Sequence, residues 1–536
     1  MKCFDPHQYS YISLERVDYR IPGPRKTSQM CKKIIWFFSV LSFCALCAGS
    51  FPATNLLAAE LLAGTSTVDI TDREAGPVND PLFVKALVLS SGDTRLVIVT
   101  IDAVAIGGIG RIGDDFMSTV RQQLTAEMGL APENLIVNAS HCHGVIRHDV
   151  AQLTVQAVKQ AAASQVPVVV GVGTGTESGI QVNRRLRLRS GKEADIRHAY
   201  SLPPNEEVVE LGPIDPEIGV LRFDRLKEGG ILAVVYNFAV HPIQGVPSGA
   251  NSADLVGFAS KAIEQSLGDG CTAFFLQGCA GDINPVNYKQ PHVNRDAEPL
   301  GNRLGLSVLR ALHEIVPESE AQLAIRNTVL QLPRADTAQQ IYQLEAYQLQ
   351  LAQSLSGTSL SFDAFVPLLV KYSLGGEYPS DHRHLYLREQ QAAQNGLANL
   401  DRENRSNLAQ YIDNVRVMEE ITRVNTNLAL LRKHQAENLD AKSRFVDVQL
   451  TTVRIADCLI TTFPGELTAQ IGLDIKAQSP AEFTFVAGYT NGYIYYAPTT
   501  EQLRNVGGAQ EDSDCILAPL WEEHYKSSVL EVLSNL

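Results

Sequence analysis

Residues 134–144 read Asn-Leu-Ile-Val-Asn-Ala-Ser-His-Cys-His-Gly, an apolar run that leads directly into a polar loop with two histidines. This format indicates a buried strand that ends at the edge of a sheet, where loops gather. Side chains alternate between the two faces of a strand, so the spacing of His141 and His143 predicts that both imidazoles point toward one face. In open α/β sheets that edge is where ligands bind.

The neighbouring segments repeat this apolar-strand format and alternate it with amphipathic helices. Strands are predicted at residues 84–89, 96–102, 135–138, 168–172, 219–223, 232–240 and 272–276. Helices are predicted at residues 114–128, 150–163 and 259–267. The alternation predicts an α/β fold in which mixed β-sheets are flanked by helices.

The texture of the sequence changes after Pro333. Residues 339–355 and 402–438 are rich in Gln, Glu, Leu, Arg and Ala with spaced apolar positions, which predicts two long helices. Residues 356–383 between them are irregular, with Gly, Ser, Pro and aromatic residues. We therefore expect a long helical hairpin, residues 335–440, inserted into one larger domain that spans residues 62–536.

Composition and charge narrow the class of protein. With 536 residues, of which 45% are hydrophobic and 19% charged, the chain has the composition of a globular protein with a large core. Its formal net charge of -14 argues against a nucleic-acid-binding protein, which needs a basic face. We expect a neutral or small partner and no nucleic acid, and the sequence leaves the oligomeric state open.

The longest apolar segment lies near the N-terminus, at residues 34–48, after four basic residues and before several small ones. This order is typical of a secretory signal, and the segment is short for a membrane span. We expect residues 1–50 to be a signal peptide, with Met30 as an alternative start to Met1, and the protein to be secreted or periplasmic. An uncleaved N-terminal membrane anchor is the alternative.

Five of the nine cysteines lie beyond the signal: Cys142, Cys271, Cys279, Cys458 and Cys515. An odd number at irregular spacing does not form a disulfide framework. We expect at most one disulfide bond, with Cys142 left free.

Other strand-to-loop segments carry candidate ligands. His241 precedes Pro242, Asp282 lies in a Gly- and Pro-marked loop, and Glu466 follows a Pro-Gly pair. Together with His141, the residues His241 and Glu466 supply two imidazole nitrogens and a carboxylate oxygen. Such a set binds zinc and leaves a coordination position for water, which favours hydrolysis. Each residue also has a simpler interpretation: His241 as a capped loop histidine, Glu466 in the first turn of a helix, and Asp282 in an Asx turn.

Two more segments carry candidate site residues. Arg184 lies in Val-Asn-Arg-Arg-Leu-Arg-Leu-Arg at residues 182–189, where it is either an oxyanion clamp or a solvent-facing charge on a half-buried strand. Residues 489–498 contain four tyrosines, which predicts an aromatic edge strand from which one tyrosine enters the site.

From about residue 63 to about residue 520, the order of these segments resembles the catalytic domain of the neutral/alkaline, non-lysosomal ceramidases. The shared motifs are Gly-Thr-Ser-Thr-Val-Asp-Ile-Thr at residues 64–71, the His-x-His turn, Val-Asn-Arg at 182–184, Asn-Phe-Ala-Val-His-Pro at 237–242, Ser-Ala-Asp at 252–254, Gly-Asp-Ile-Asn-Pro at 281–285, Pro-Gly-Glu at 464–466 and the tyrosine segment at 491–498. The resemblance implies one zinc ion (Zn2+) per chain, with His141, His241, Glu466 and Tyr496 as its ligands.

The same resemblance implies the reaction and its catalytic residues. Zinc-bound hydroxide would attack the amide carbonyl of a ceramide-like N-acyl lipid, with a transient contact between the enzyme and a membrane surface. His143 would protonate the leaving amine, Arg184 would face the scissile group, and Asp282 and Asn284 would complete the set.

Three departures from the family leave the true substrate open. Asn284 stands where the family motif Gly-Asp-Val-Ser-Pro-Asn has a serine implicated in catalysis, and an asparagine can orient a substrate but cannot act as nucleophile. Residues 505–510 lack a second family tyrosine, and the resemblance does not extend to the C-terminal β-sandwich of the full ceramidases. Two alternatives therefore remain: an exported noncatalytic binding protein that keeps the fold, and thiol chemistry by Cys142.

Overall fold

The computed structural model describes residues 60–196, 202–245, 251–268, 270–288, 290, 292–318, 322–374 and 383–536. The predicted signal peptide and both candidate start residues lie outside these ranges. Among the described residues, no helix has the length and apolar character needed to cross a membrane.

An eight-stranded mixed sheet forms the centre of the fold. Its strands are β1 (Leu62–Asp69), β2 (Phe83–Ser91), β3 (Thr94–Ile101), β4 (Leu135–Ala139), β5 (Val166–Thr176), β10 (Glu217–Arg225), β11 (Ile231–Phe238) and β12 (Thr272–Gln277). Their spatial order is β12-β11-β10-β5-β1-β2-β3-β4. The pairs β3–β4 and β11–β12 are parallel, and the other pairs are antiparallel.

A second sheet of four strands packs against the first. It contains β14 (Leu323–Pro333), β15 (Phe445–Ile455), β16 (Cys458–Thr462) and β18 (Phe483–Ala487), in that order. Short ladders complete the strand inventory of the described residues: β6 (Gln181–Asn183) with β13 (Ile283–Pro285), β7 (Arg185–Leu188) with β8 (Glu193–Asp195) and β9 (Val208–Leu211), and β17 (Glu466–Leu467) with β19 (Tyr496–Ala497).

Most α-helices of the described residues cover the outer faces of the two sheets or form the insertion. The α-helices are α1 (Phe116–Met128), α2 (Val150–Ala163), α3 (Asp254–Leu267), α4 (Glu298–Glu314), α5 (Ala338–Ser354), α6 (Phe362–Leu374), α7 (Arg383–Gln391), α8 (Gly396–Asp440), α9 (Ala469–Gln478), α10 (Gln510–Ser513) and α11 (Trp521–Asn535). The short α10 lies against α8 and β19.

Four layers result from this packing. Helices α1 to α4 cover one face of the large sheet, and the small sheet covers the other, where Phe223 and Ile98 meet Phe485 in a common core. Helices α9 and α11 cover the far face of the small sheet, with Trp521 fully buried. Because both faces of the strands are covered, the strand sequences are continuous apolar runs. Each large apolar side chain buried in this way stabilises the folded state by about 1.5–3 kcal/mol. The predicted α/β class with mixed, helix-flanked sheets is confirmed.

The large sheet curls until its two end strands approach each other. The backbone N–H of Gln277, at the end of β12, donates to Asn138 Oδ1 in β4 at 2.9 Å. The loops that follow β4 and β11 therefore emerge side by side, although 100 residues separate His141 from His241.

Among its described residues, the predicted helical insertion contains four helices, and two of them correspond to the expected long ones. The 45-residue helix α8 pairs with α5 through a small core that includes Leu344 and Leu428. The stretch predicted to be irregular, residues 356–383, contains α6, so the prediction is wrong there, and α7 begins at the last residue of the stretch. Both helices lie against α8. Tyr372 of α6 and Tyr386 of α7 donate to the two carboxylate oxygens of Asp401 in α8.

Candidate functional site

His141 lies just beyond the end of β4, in a backbone conformation that histidine rarely adopts. Its φ angle is 67°, in the left-handed region, which costs a residue other than glycine roughly 1–2 kcal/mol. Its backbone N–H donates to the carbonyl of Ala103 at 2.9 Å, and its Nδ1 to the carbonyl of Val104 at 2.6 Å. The strand ends at Ala139, and the turn that follows buries His141 and exposes His143. The two rings nevertheless lie on one side, 5.5 Å apart between centroids, while Cys142 between them points into the core.

His241 lies beyond the end of β11 and is fixed in the same way. Its backbone N–H and its Nδ1 both donate to the carbonyl oxygen of Ile283, at 3.0 and 3.1 Å. The loop that follows is held by the buried carboxylate of Asp254, which accepts from the N–H groups of Gln244 at 3.1 Å and Gly245 at 2.7 Å. Asp254 thus explains the Ser-Ala-Asp motif as a support for the His241 loop.

One side chain ties the two histidine loops together. The amide Nε2 of Gln277 donates to the carbonyl of Ser140 at 2.9 Å and to that of Val240 at 2.8 Å. These carbonyls belong to the residues directly before His141 and His241. Gln277, which is fully buried, therefore fixes the distance between the two loops.

Glu466 reaches the histidines from the turn that follows β16. Its carboxylate accepts from the hydroxyl of Tyr489 at 3.1 Å and from that of Tyr493 at 2.5 Å. Close backbone packing positions this turn, since a Cβ atom on Gly281 would lie 2.6 Å from the Glu466 carbonyl oxygen. Only glycine fits at that position.

The three side chains converge on one point. One ligand atom each of His141, His241 and Glu466 lies within 4.8 Å of the others, and all three residues are buried. The Nε2 atoms of His141 and His241 lie 3.6 and 3.2 Å from Glu466 Oε2. Because each Nδ1 faces a carbonyl acceptor, a neutral ring carries its proton there and turns the Nε2 lone pair toward the carboxylate. Three electron-pair donors that face one another in this way can hold a metal cation.

The protonation equilibria agree with this arrangement. Burial lowers the pKa of His141 to about 4, which keeps its imidazole neutral near pH 7. Burial opposes ionisation of Glu466, but the two imidazoles and the Tyr493 hydroxyl outweigh it and hold the pKa of Glu466 well below its ordinary value. A neutral imidazole and an ionised carboxylate are the forms that bind metals.

A buried cation lies beside the cluster. Arg184 donates through Nε to Glu511 at 2.6 Å and through Nη2 to the carbonyl of Gly281 at 2.6 Å. Its guanidinium carbon lies 5.4 Å from the ring centroid of Tyr496, and nearby negative groups, Glu511 foremost, outweigh burial and raise its pKa further above the ordinary value. Arg184 is therefore a fixed internal charge and not a solvent-facing strand residue.

Asp282 and Asn284 lie beneath Arg184 with different surroundings. Asp282 accepts from the Ala469 N–H at the start of α9 at 2.8 Å and from Asn183 Nδ2 at 2.9 Å, so both of its oxygens bind protein donors. Asn284 accepts from Arg184 Nη1 at 3.4 Å, and its buried Nδ2 has no hydrogen-bond partner among the described residues. Asp282 therefore has the contacts of a structural support, whereas Asn284 offers a donor.

The remaining predicted residues border the cluster. The exposed ring of His143 lies 5.5 Å from that of His141, edge to face. Tyr496 pairs with Glu466 in the β17–β19 ladder and is buried. The hydroxyl of Tyr495 faces away, 3.3 Å from Lys433 of α8.

Cys142 lacks the properties of a nucleophile. Its side chain is fully buried in the core, and burial raises the pKa of its thiol far above the ordinary value. All five described cysteines are buried and unpaired, which includes the predicted free Cys142.

Four residues that organise the site were not identified from the sequence: Gln277, Tyr489, Tyr493 and Glu511. The two tyrosines belong to the predicted aromatic segment, but nothing local shows which hydroxyls reach Glu466. The roles of Gln277 and Glu511 depend on partners that are distant in the sequence. Ser140 is 137 residues from Gln277, and Arg184 is 327 residues from Glu511. The acidic residues at 511–514, Glu-Asp-Ser-Asp, are a local feature that could have pointed to Glu511.

Two solved structures share this fold. The neutral ceramidase from Pseudomonas aeruginosa matches with a TM-score of 0.57 at 16% sequence identity, over 89% of this chain and 75% of the other. A ceramidase complexed with C2 matches with a TM-score of 0.55 at 17% identity, over 88% of this chain and 74% of the other. No protein-family model matches the chain. The chain thus has a neutral ceramidase-like fold, as its motifs predicted.

Proposed function

We propose that this chain is an exported, zinc-dependent hydrolase that cleaves the amide bond of a ceramide-like N-acyl lipid. The observation that supports this most directly is the buried convergence of His141, His241 and Glu466. The ceramidase-like fold around it supports the choice of reaction and of substrate class. Export follows from the predicted signal at residues 1–50.

The donor set fits zinc. Two imidazole nitrogens and one carboxylate oxygen are ligands that zinc prefers in catalytic sites with an open position. We assign Tyr496 as the fourth ligand, because the β17–β19 ladder holds it beside Glu466, and we expect one ion per chain. When bound, zinc acts as a Lewis acid and lowers the pKa of a coordinated water to roughly 7.

The neighbouring residues supply the other requirements of amide hydrolysis. Arg184 and the Nδ2 group of Asn284 are adjacent buried donors that would orient the carbonyl and stabilise the negative charge that develops on its oxygen. His143, exposed at the edge of the cluster, would donate an imidazole proton to the departing nitrogen. Asp282 would act by holding Asn183 and, through its carbonyl, the N–H of Arg184 at 2.8 Å.

Hydrolysis of a short-chain fluorogenic N-acylsphingosine tests the proposal, with an ester analogue and a simple N-acyl amine as competitors. Purified enzyme would be treated with chelator, then restored with zinc. We expect activity to require zinc and to fall by more than about 10³-fold in His141→Ala/His241→Ala. His313→Ala, which changes an exposed histidine of α4, is the matched control and should leave activity unchanged.

The outcome also decides between the proposal and the noncatalytic alternative. If zinc-loaded enzyme bound the N-acyl lipid by calorimetry but hydrolysed none of the substrates, the chain would be an exported binding protein. Sequencing the N-terminus of the exported protein would locate the start of the mature chain, and retention of residues 1–50 would favour the anchored form.

A further inference from the structure

Helix α6 has two chemically different faces. The side that packs on α8 carries Phe365, which stacks on Tyr411 with ring centroids 4.2 Å apart, and Tyr372, which donates to Asp401. None of the residues of α6 is buried. The opposite side presents five large apolar side chains to solvent: Phe362 at 66%, Val366 at 40%, Leu369 at 37%, Val370 at 52% and Leu374 at 81% exposure.

The spacing of these five side chains places them in one stripe. Steps of four, three, one and four residues keep them within a single face of an α-helix, about 140° wide. Asp363 is the only charged residue that α6 exposes among them. Isolated exposed apolar residues are ordinary, but a continuous stripe of this size marks an interaction surface.

Helix α7 adds positive charge beside the stripe. Tyr386 of α7 donates to the same Asp401 carboxylate as Tyr372, so one buried side chain anchors both helices. The exposed residues of α7 include Arg383 and Arg388, whereas its carboxylate, Glu389, is half-buried and accepts from the Leu397 N–H at 2.7 Å. In a chain of net charge -14, this is a local concentration of basic side chains next to an apolar face.

We propose that α6 and α7 form a docking surface for a lipid bilayer that contains anionic headgroups. The apolar stripe inserts among the acyl chains, and the arginines of α7 contact the phosphates. An apolar stripe beside arginines is the arrangement of side chains that helices lying in a membrane interface present. The choice of a bilayer also rests in part on the proposed function, because a ceramide-like substrate resides in membranes.

Vesicle flotation tests this surface, with phosphatidylcholine vesicles and vesicles of phosphatidylcholine and phosphatidylserine at about 7:3. The apolar variant is Val366→Ser/Val370→Ser/Leu374→Ser, and the basic variant is Arg383→Gln/Arg388→Gln. We expect the apolar variant to lose at least about tenfold in affinity for both vesicles. The basic variant should lose about fivefold per arginine, for the anionic vesicles alone.

The control is Val316→Ser/Leu520→Ser, which removes side chains that are 79% and 71% exposed outside the insertion, and it should bind as wild type does. Wild type that fails to float, or an apolar variant that floats equally well, would overturn the proposal. So would a wild-type dimer that the apolar variant converts to monomer in analytical ultracentrifugation. His241→Ala should float normally while it loses hydrolysis, because His241 lies far from α6 in the chain and belongs to the metal cluster. Wild type that floats but hydrolyses no N-acyl lipid, or His241→Ala that floats and keeps full hydrolysis, would contradict the proposed function and leave the docking surface standing.

Discussion

The cluster of His141, His241 and Glu466 and the helical insertion differ in how they use polar and apolar groups. In the cluster, buried polar side chains are held by backbone carbonyls and tyrosine hydroxyls. In the insertion, by contrast, α6 turns large apolar side chains outward and buries none of its residues. The contrast indicates that the backbone is held most firmly where the ligand atoms converge. It also agrees with the proposal that α6 of the insertion binds a lipid bilayer.

Among substitutions near the cluster of His141, His241 and Glu466, we expect Glu511→Gln to destabilise the protein most. Glu511 is fully buried and accepts from Arg184 Nε at 2.6 Å and from Arg185 Nη1 at 3.0 Å, so the substitution leaves two buried guanidinium groups short of a counter-charge. We expect the free energy of unfolding to fall by about 3–5 kcal/mol, measured by urea denaturation.

Glu210→Gln is the matched control for this prediction. Glu210 pairs with Arg187 at 3.0 Å, but both side chains are more than half exposed, at 61% and 54%. An exposed pair of this kind contributes less than about 1 kcal/mol. Equal effects of the two substitutions would contradict the buried role of Glu511.

Gln277→Leu should separate the two histidine loops while keeping the core apolar. It removes the Nε2 donor that binds the carbonyls of Ser140 and Val240, and the ligands then lose their fixed spacing. We expect zinc affinity, measured by competition with a chromogenic chelator, to fall by about 10–100-fold. Gln331→Leu, at an exposed position of β14, is the control and should leave the zinc affinity unchanged. An unaltered zinc affinity in Gln277→Leu would show that Gln277 does not set the spacing of the two histidine loops.

Asp102 tests whether a buried carboxylate near the cluster of His141, His241 and Glu466 destabilises the fold when it is ionised. It lines a cavity of about 300 Å3 next to Ser140, and burial raises its pKa from 3.8 to about 6. Since the folded state binds the proton more tightly than the unfolded chain, the contribution of Asp102 to stability is fully present below pH 3.8 and is lost as the pH rises through 6. Asp102→Asn, which keeps an acceptor for the Phe83 N–H, should stabilise the metal-free protein by about 2 kcal/mol at pH 8 and have little effect at pH 4.

Urea denaturation at both pH values measures this difference. Stabilisation that is larger at pH 4 than at pH 8 would have the wrong sign and would contradict the assignment of Asp102.

His434→Ala probes the connection between the two regions. His434 of α8 lies 2.6 Å from Asp514 Oδ1, and the carbonyl of Asp514 accepts from the Tyr496 N–H at 3.0 Å. We expect a fall of about threefold to tenfold in kcat with zinc content unchanged, because a small displacement of Tyr496 disturbs catalysis more than metal retention. His524→Ala, at an exposed position of α11, is the control, and equal kcat values in the two variants would contradict the connection.

The sequence predicted the regular elements better than the site geometry. Helix α2 runs from Val150 to Ala163 as predicted, because its apolar positions recur at helical spacing. The prediction of irregular structure at residues 356–383 rests on their Gly, Ser, Pro and aromatic residues, and it is wrong for α6, which contains Pro367 and is nevertheless helical. Its helical structure depends on contacts with α8, which local periodicity does not report.

The candidate site shows the same limit. Motif order brought His141, His241 and Glu466 into one prediction, and the three side chains do lie together. Nothing in the sequence indicates the left-handed backbone of His141, whose φ is 67°, or that the turn buries His141 and leaves His143 exposed. Gln277 and Glu511 escaped prediction because a single buried amide or carboxylate acquires its role from partners that only the tertiary structure supplies.

The most direct test of the account is the metal content of the purified mature protein by elemental mass spectrometry, with wild type compared with His141→Ala/His241→Ala and His313→Ala. We expect about one zinc ion per chain in wild type and in His313→Ala, and none in the double variant, because a structural or catalytic zinc needs at least three protein ligands. Well-folded wild type without zinc, or a double variant that retains it, would contradict the assignment of this cluster as a zinc site.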